Sequence, residues 1–483
     1  MAGSADSDPP SSLSVPQLAG VVCTVGILLV GLVVPPPEGI TIEIQRTLAV
    51  FAATIVLWIA KPVPYVVSSV LSVTLLFAFG VTDSFEEAVT GYAETLVFFL
   101  LLLLLLGHSI SKVGLDERVA QRMLSATSTP RESVRSLSIN LLGLSFLMPS
   151  AVARTVTFIP VVRQITDVYQ LGSNSNFERT SFFILGHINP IASMALMTGG
   201  GMAIITSELI QSSVRPITWV EWGIFMIPPT VALYALSAVT AEKIYSVDDS
   251  QTISPDSNGE DEELVEAVMN GDEQTDPLTR DERIVGWVML GAVLAWIVGS
   301  FTGIPTILPA IAAVTVLSLP GIGVITKDDI AEVSWGILFL IGAMFSILEV
   351  MQSTGALDVV VNSLLGLIPF SAFNTWQSVG ALLALAVVLR VFFSTASAAI
   401  VVVLPIILEF GEVLGLDQLF LAFSVLMIIG STTFLPFNTT AVLLSFDRGP
   451  LTSRDVFAFS LVTMLYSTLI IILSWVLYWP LIR

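Results

Sequence analysis

Two long runs without a charged side chain restrict the possible folds of this sequence more than any other feature. One extends from Ile284 to Thr326 and the other from Val456 to Ile482. A membrane-spanning helix needs roughly 20 apolar residues, so the first run has room for two spans and the second for one. Neither run shows the two-residue alternation of a membrane β-barrel strand. The sequence therefore predicts an all-α polytopic membrane protein.

The overall composition agrees with this prediction. Of the 483 residues, 54% are hydrophobic and 12% are charged, whereas soluble globular chains carry about 25% charged residues. Apolar windows predict about eleven transmembrane helices. The windows cover 18–36, 43–60, 63–81, 93–111, 181–210, 218–241, 284–302, 304–322, 333–351, 417–443 and 456–481.

Two further apolar segments, 136–163 and 375–407, are predicted to be re-entrant hairpins. The first is broken by Pro149-Ser150, which leaves arms of about 10–14 residues that are too short to cross a bilayer. If the amino terminus is inside, about 14 of the 19 basic residues fall in inner loops and about three outside. The positive-inside rule then predicts an inner-membrane protein with a cytoplasmic amino terminus and an extracellular carboxy terminus.

The sequence divides into two similar halves. We predict a tail and first helix over 1–42, a first repeat over 43–243, an acidic cytoplasmic linker over 244–283 and a second repeat over 284–483. Three landmarks recur after about 240 residues: Trp58 and Trp296, Gly114 and Gly355, and Pro160 and Pro405. Each half holds five spans and a hairpin, so the second enters the membrane from the opposite side. Inverted repeats with broken helices are typical of alternating-access transporters.

Four polar, helix-breaking patches lie inside otherwise apolar segments: Pro149–Thr155, Met197–Gly201, Ser394–Ser397 and Ser431–Thr440. Hydroxyls, free carbonyls and the positive ends of half-helices can hold an anion and a hard cation together. The alternative is that Ser and Thr bond their own helix backbone and Gly allows close packing. Four patches at matching places in two repeats favour a binding site.

Arg154, in the first of these patches, is the strongest single candidate for binding an anion. A cation inside the membrane is costly and usually functional, and a guanidinium can bind a carboxylate or sulfate through paired donors. The alternatives are that its side chain extends to the cytoplasmic interface or pairs with an acid. Arg390, in the second hairpin, is expected to cap or anchor that hairpin.

The charge balance and the cysteine count limit which partners and cofactors this chain is expected to bind. The sequence has 39 acidic and 19 basic residues, a net charge of −20, which disfavours nucleic-acid binding. Acidic loops of this kind indicate a halophilic host, of the haloarchaeal type. The single cysteine, Cys23, excludes an internal disulfide and a cysteine-rich metal site. No cofactor is predicted.

Several stretches resemble the divalent anion/sodium symporter family, and the likeness covers nearly the whole chain outside the linker. Leu57–Gly80 and the stretch from Phe98 to Gly114-Leu115-Asp116-Glu117-Arg118 resemble the second to fourth spans of that family. Leu435-Pro436 through Thr439-Thr440 to Asp455 is similar to its tenth span and following loop. The resemblance implies a homodimer with a fixed scaffold and a mobile transport domain in each protomer. It also implies sulfate or di- and tricarboxylate substrates, usually with Na⁺.

The resemblance also implies site residues, although the hairpins depart from the Ser-Asn-Thr of the family. They read Ser150-Ala151-Val152 and Thr395-Ala396-Ser397, so both asparagines are replaced. The residues predicted to bind the anion are Ser150, Arg154, Thr198, Thr395, Ser397, Thr439 and Thr440. The residues predicted to bind Na⁺ are Ser150, Met197, Thr395 and Asn438. The first hairpin of the exchanger branch reads Ser-Asn-Thr-Ala-Arg, with arginine at the position of Arg154.

The expected function is secondary active transport of a small divalent anion, coupled to Na⁺ and driven by an elevator-like movement of the hairpin domain. The alternatives within transport are an Na⁺-independent anion exchanger and a sodium/proton or arsenite carrier. An intramembrane enzyme is disfavoured because the sequence contains no His-Glu-x-x-His motif and no paired intramembrane aspartates.

Overall fold

The computed structural model describes residues 14–115, 118, 129–146, 148, 150–172, 174–247, 277–367 and 369–483. Four predicted features lie outside the described residues. They are the amino-terminal tail as far as residue 13, the part of the acidic linker from 248 to 276, the Asp116-Glu117 pair and Pro149 at the first hairpin.

The described residues of the apolar segments are mostly helical. The first half contains α1 (Val15–Val33), α2 (Ile42–Ala60), α3 (Tyr65–Ala78), α4 (Phe85–Ala88), α5 (Thr95–Lys112), α6 (Pro130–Ser145), α7 (Ala151–Val168), α8 (Asn176–Phe183), α9 (Asn189–Ala192), α10 (Gly201–Ser213) and α11 (Trp219–Tyr245). The second half contains α12 (Arg280–Thr302), α13 (Ile307–Ser318), α14 (Lys327–Ala331), α15 (Trp335–Thr354), α16 (Ala356–Leu367), α17 (Thr375–Arg390), α18 (Ala396–Val413), α19 (Gln418–Ser431), α20 (Thr440–Arg448), α21 (Ser453–Leu473) and α22 (Trp479–Ile482). π-helical turns cover Ile184–Ile188 and Ser474–Tyr478, and 3₁₀ turns cover Thr90–Ala93, Phe370–Ala372 and Pro436–Asn438.

Among the described residues, eight helices are long and apolar enough to cross a membrane. They are α1, α2, α5, α11, α12, α15, α18 and the run Ser453–Ile482 that joins α21 and α22. Four shorter apolar helices accompany them: α3, α13, α17 and α19. The prediction of an all-α polytopic membrane protein is therefore confirmed.

Polar residues between the apolar runs determine where individual helices begin. At α2 the Ile44 N–H donates to Thr41 Oγ1 at 3.2 Å, and at α17 the Gln377 N–H donates to Asn374 Oδ1 at 2.9 Å. A side-chain acceptor at this position satisfies one of the backbone N–H groups that the first turn leaves unbonded. Apolar windows do not detect such caps, and for this reason the predicted and observed helix ends differ by a few residues.

Two of the predicted spans are broken helices in the structure. The span predicted over 181–210 consists of α8, a π-helical turn, α9, a non-helical stretch from 193 to 200, and α10. The span predicted over 417–443 consists of α19, a break with one 3₁₀ turn, and α20. Both breaks fall in patches that the sequence identified as helix-breaking. In the first, a Cβ at Gly199 would lie 2.5 Å from the Ser193 carbonyl oxygen, so only glycine fits there.

Each predicted hairpin is a pair of helices joined by a short tip. The first pair is α6 and α7, and the second is α17 and α18. The second helix of each pair has 18 residues, is capped by a hydroxyl residue (Ser150 or Thr395) and contains an internal proline (Pro160 or Pro405). The caps, like the prolines, are about 245 residues apart, as expected for a sequence repeat. Both pairs extend beyond the predicted limits of 136–163 and 375–407.

The chain divides into two compact units. The smaller unit holds the described residues as far as Val97 together with Ser334–Ala372, and so contains α1 to α4, α15 and α16. Within it, α1 packs on α2, and α15 packs on α2, α3 and the 3₁₀ turn Thr90–Ala93. Gly91 allows the backbone of this turn to approach α15 closely, and its N–H donates to Ser346 Oγ at 3.0 Å.

The larger unit, which comprises the described parts of Phe98–Val333 and Phe373–Arg483, contains both hairpins and both broken helices. Within it, helices from the two halves of the sequence contact each other, and the second helix of each hairpin packs on the helix that follows the break in the other half. Helix α7 of the first hairpin contacts α20, which follows the second break. Helix α18 of the second hairpin contacts α10, which follows the first break. All four polar patches therefore belong to one packed body.

An ion-pair cluster in the larger unit links the carboxyl end of α5 to α14. Lys112 Nζ lies 2.7 Å from Asp329 Oδ2, and His108 Nε2 lies 3.0 Å from Asp329 Oδ1. The Thr326 N–H and hydroxyl also donate to Asp329, each at 2.6 Å. Burial acts to raise the pKa of Asp329, but the hydrogen bonds from Lys112, Thr326 and His108 outweigh burial and hold that pKa well below its usual range. The carboxylate therefore stays charged at neutral pH.

Candidate functional site

Three of the helices that start at polar breaks are capped by hydroxyl side chains. The Ala153 N–H donates to Ser150 Oγ at 3.2 Å, and the Ala398 N–H donates to Thr395 Oγ1 at 3.1 Å. Thr439 caps α20 in the same way, at 3.1 Å from the Val442 nitrogen. A hydroxyl that accepts a bond from its own helix still has an O–H to donate. Because helix amino ends attract anions, each cap presents both a hydroxyl donor and a positive dipole end.

The fourth helix start, at α10, is built differently. Gly200 precedes α10 without a side-chain cap, and Thr198 lies just ahead of it, buried. The Trp219 Nε1–H donates to Thr198 Oγ1 at 3.2 Å, so this hydroxyl also keeps its proton available to another acceptor. Thr198 is thus fixed by a contact that the sequence did not predict.

Arg154, predicted to bind the anion, is completely buried in the structure. Its Nε–H donates to Asn189 Oδ1 at 2.7 Å, and one Nη donates to the Asn189 carbonyl at 3.3 Å and to Ser193 Oγ at 2.8 Å. The other Nη donates to the Met148 carbonyl in the hairpin tip. The guanidinium therefore joins the tip of the first hairpin to the break after α9.

Asn189 completes this connection and was not identified from the sequence. Its Nδ2 donates to the Ala151 carbonyl at 2.8 Å and to Thr155 Oγ1 at 3.1 Å, both at the start of α7. The only sequence signal was an uncharged amide followed by Pro190 inside an apolar span. A related pattern occurs in the second half of the chain, where Asn438 comes two residues after Pro436.

Arg390 holds the second hairpin in an analogous way, which confirms its expected anchoring role. Its Nη groups donate to the carbonyl of Phe393 in the tip, at 2.8 Å, and to that of Asn438 in the second break, at 2.6 Å. Its Nε–H donates to the Ile429 carbonyl at 3.2 Å. Three backbone carbonyl oxygens thus converge on one buried cation.

Asn438, predicted as a Na⁺ ligand, belongs to the same network. Its Nδ2 donates to the Val391 and Phe393 carbonyls at 3.0 and 2.9 Å, and its Oδ1 accepts from the Leu435 N–H at 2.9 Å. Each hairpin tip is consequently tied by one arginine and one asparagine to the broken helix that follows it.

The remaining predicted residues differ in their burial. Ser150, Thr395, Ser397 and Thr439 are half-buried, Thr440 is exposed, and Met197 is buried. Among the described residues, no group of three or more His, Cys, Asp or Glu side chains could hold a metal ion. Oxygen atoms of the hydroxyls and backbone carbonyls are the hard ligands that the patches offer.

The chain is a polytopic helical protein whose two hairpins and two broken helices lie in one packed unit. This is the architecture of a secondary transporter. The chain belongs to the family described as the sodium:sulfate symporter transmembrane region, whose family model matches residues 16–483. The resemblance noted from the sequence is therefore confirmed. The family and two of the three relatives described next carry the names of transporters, and none of them carries the name of an enzyme.

Three curated relatives show what the chain is similar to. A protein named only as a membrane protein, from Cupriavidus necator, is 24% identical over 420 residues, covering 82% of this chain and 79% of the relative. A putative malate transporter of Bacillus subtilis is 22% identical over 383 residues, covering 75% of each chain. An L-tartrate/succinate antiporter of Shigella dysenteriae is 23% identical over 480 residues, covering 93% of this chain and 95% of the relative.

Proposed function

We propose that this protein is a secondary active transporter of small divalent anions, with di- and tricarboxylates and sulfate as the candidate substrates. The observation that carries the proposal is the set of hydroxyl caps at Ser150, Thr395 and Thr439, each at a helix start inside an apolar segment. Such starts offer donors and a positive dipole to an anion. The names of the relatives, which include malate and tartrate/succinate, support a carboxylate substrate.

The proposed coupling ion is Na⁺, in keeping with the name of the family. Na⁺ would be held by oxygen atoms of Ser150 and Thr395 at the hairpin tips and of Asn438 in the second break, with Met197 in the first break. The second candidate is Na⁺-independent anion exchange. Arg154 and Arg390 favour this second candidate. Each places a permanent positive charge at a hairpin tip, where a symporter would bind a coupling cation.

The proposed movement is elevator-like, with the larger unit carrying the anion across the membrane. The support is that all four polar patches belong to that unit, so the site can move as one body. We also propose that the protein works as a homodimer in a cell membrane, as its resemblance to the family implies.

Uptake into proteoliposomes is the direct test. Purified protein should take up labelled sulfate, succinate or citrate, and the comparison of Na⁺ with choline separates the two coupling modes. Failure to move any of the three anions, with or without a counter-anion inside, would overturn the proposed function.

Alanine at Ser150, Thr395 or Thr439 should weaken apparent anion affinity about ten- to a hundredfold, because a hydrogen bond to a charged group contributes roughly 1.5–3 kcal/mol. Thr302→Ala is a matched control, since its exposed hydroxyl bonds only the Val298 carbonyl of its own helix, at 3.0 Å. Replacing Thr439 by Ser keeps both the cap and the donor and should preserve affinity. Unchanged affinity in all three alanine variants would show that these hydroxyls do not contact the anion.

The proposed orientation predicts that the segment between Val247 and Glu282 faces the cytoplasm. A protease site inserted there should be cut only when protease reaches the inner face, as in inverted membrane vesicles. Cutting by protease added to intact cells would show that the orientation is the opposite of the one proposed.

A further inference from the structure

We propose that Trp219 is a positioning residue for anion binding, whose indole N–H holds the Thr198 hydroxyl so that the hydroxyl proton faces the anion. The inference rests on the proposed function and deepens it, because it adds a residue of α11 that acts on the site without contacting the anion. It follows from how α11 and α12 are bonded to each other and to the first break, the non-helical stretch from 193 to 200.

Two tryptophans of α11 bond the first break. The Trp222 Nε1–H donates to the Met194 carbonyl at 3.2 Å, and the Trp219 Nε1–H donates to Thr198 Oγ1, also at 3.2 Å. The two tryptophans are three residues apart and therefore lie on one face of the helix. Their bonds differ in kind, because Trp222 holds the backbone of the break and Trp219 holds a side-chain hydroxyl. Only the second bond can determine how a hydroxyl is presented to a ligand.

The ring of Trp219 is itself held in place by α12. Its centroid lies 6.5 Å from that of Trp296, with 13° between the two ring planes, which is a favourable arrangement for an aromatic pair. Trp296 is buried, and its Nε1–H donates to the Thr306 carbonyl at 2.7 Å. The residue after Trp219, Val220, donates its N–H to Ser300 Oγ at 3.1 Å. The indole N–H is therefore presented by a ring with little freedom to turn.

The Thr198 hydroxyl has a proton that the protein does not use. A threonine inside a helix commonly bonds the carbonyl four residues earlier, as Thr206 of α10 does with Met202 at 2.8 Å. Thr198 lies outside the helices and is only 9% exposed. Within the described residues, its Oγ1 accepts the indole N–H and donates to no protein atom. Since a hydroxyl keeps its proton directed away from a donor that it accepts from, this proton is left for an acceptor from outside the protein, such as a carboxylate or sulfate oxygen.

Loss of the indole donor would free this hydroxyl to turn. Its proton could then bond a backbone carbonyl of the break, in competition with the anion, so the anion would bind more weakly. The two hairpins and their arginine contacts would be unaffected. Trp219 should therefore act on the affinity for the anion and not on the maximal rate of transport.

Trp475 provides a matched control in the same unit. Its Nε1–H also donates to a hydroxyl, Ser424 Oγ, at 2.7 Å. That hydroxyl in turn donates to the Phe420 carbonyl of its own helix, at 2.7 Å, so it has no proton left for a ligand. Replacing either tryptophan by phenylalanine removes the same type of bond, but only Trp219 bonds a hydroxyl with an unused proton.

The test measures the KM and maximal rate of uptake into liposomes at equal amounts of folded protein. The probe is labelled succinate, citrate or sulfate, whichever the wild-type protein takes up fastest. Trp219→Phe keeps an aromatic ring over Trp296 but removes the N–H, and should raise KM about three- to tenfold with a maximal rate within about twofold of wild type. Trp475→Phe should leave KM unchanged. An unchanged KM in Trp219→Phe, or an equal rise in Trp475→Phe, would overturn the inference.

A double-mutant cycle separates positioning from a general structural effect. Thr198→Ala should itself raise KM, and adding Trp219→Phe should raise it no further, because the hydroxyl that the indole orients is gone. Thr198→Ser keeps the hydroxyl and should remain sensitive to Trp219→Phe. Effects that multiply in the double variant would contradict the inference, and so would an unchanged KM in Thr198→Ala.

Trp219→Tyr is the second variant if Trp219→Phe is not recovered as monodisperse protein, because its larger side chain fills more of the indole site and also lacks the N–H. If neither variant folds, Trp219 is a structural residue and the inference is overturned. None of these outcomes removes the proposed transport function, which fails only if the wild-type protein moves no anion.

Discussion

Arg390→Gln is expected to prevent the second hairpin tip from forming and to remove most of the correctly folded protein. The side chain donates to three buried carbonyl oxygens, those of Phe393, Ile429 and Asn438. Glutamine is too short to reach all three acceptors. A buried acceptor without a partner costs about 1–3 kcal/mol, so the loss of three is large compared with a total folding free energy of about 5–15 kcal/mol.

The measurement is the amount of monodisperse protein after detergent extraction, together with its thermal unfolding midpoint. Arg280→Gln is the matched control, because Arg280 also donates to a backbone carbonyl, that of Gly321, but at an exposed site. Water replaces the lost donor there, and surface changes of this kind stay within about 0.5 kcal/mol. Arg390→Lys should fall between the two, since an ammonium keeps the charge but lacks the planar fork of donors.

A folded, monodisperse Arg390→Gln protein with a wild-type unfolding midpoint would contradict this account. It would mean that water or a rearranged backbone satisfies the three carbonyls, and that the tip does not depend on the guanidinium. In that case Arg390 would also be too well hydrated to act as a fixed, buried charge, and it would no longer support Na⁺-independent anion exchange.

The helices themselves were largely predictable from the sequence because hydrophobicity alone specifies them. The predicted span 218–241 lies within Trp219–Tyr245 apart from its first residue, and the predicted span 43–60 matches Ile42–Ala60 to within one residue. In a membrane, backbone groups must bond internally, so a long apolar run has little alternative to a helix. The helix breaks were equally predictable from the sequence, since proline and glycine interrupt the helical pattern directly.

The partners of the polar side chains were not predictable. The sequence is compatible with Arg154 as an anion ligand, as a surface anchor or as the partner of an acid, and the structure places it against Asn189, 35 residues later in the chain. Arg390 bonds the carbonyl of Asn438, 48 residues away. Such contacts depend on how separate helices pack, and neither hydropathy nor local spacing carries that information. The predicted hydroxyls at Ser150, Thr395 and Thr439 have a local role as caps, which spacing can reveal; their contact with an anion is still a prediction.

Close contacts between backbone segments were equally unpredictable from the sequence. Gly91 in the smaller unit is the clearest example. A Cβ at Gly91 would lie 2.2 Å from the Ser346 nitrogen and 2.4 Å from the Gly342 carbonyl oxygen. Both atoms are backbone atoms of α15. The facing residue is equally tight, because a Cβ at Gly342 would lie 2.3 Å from the Tyr92 ring. The turn and the helix are therefore in contact through two glycines.

Gly91→Ala is accordingly expected to be among the most damaging single-methyl changes in the protein. Overpacking a core costs about 1–3 kcal/mol when side chains can move aside, and here the obstructing atoms are the backbone of a 20-residue helix, which cannot. We expect a loss of folded protein or a large drop in the unfolding midpoint in detergent, with the Gly91 N–H bond to Ser346 broken.

Gly26→Ala in α1 is the matched control, because nothing lies within 4 Å of its added Cβ. It should be neutral or stabilising by up to about 1 kcal/mol, since alanine is the better helix former. Equal unfolding midpoints for the two alanine variants would show that α15 and the turn carrying Gly91 are not held at the distance seen in the structure.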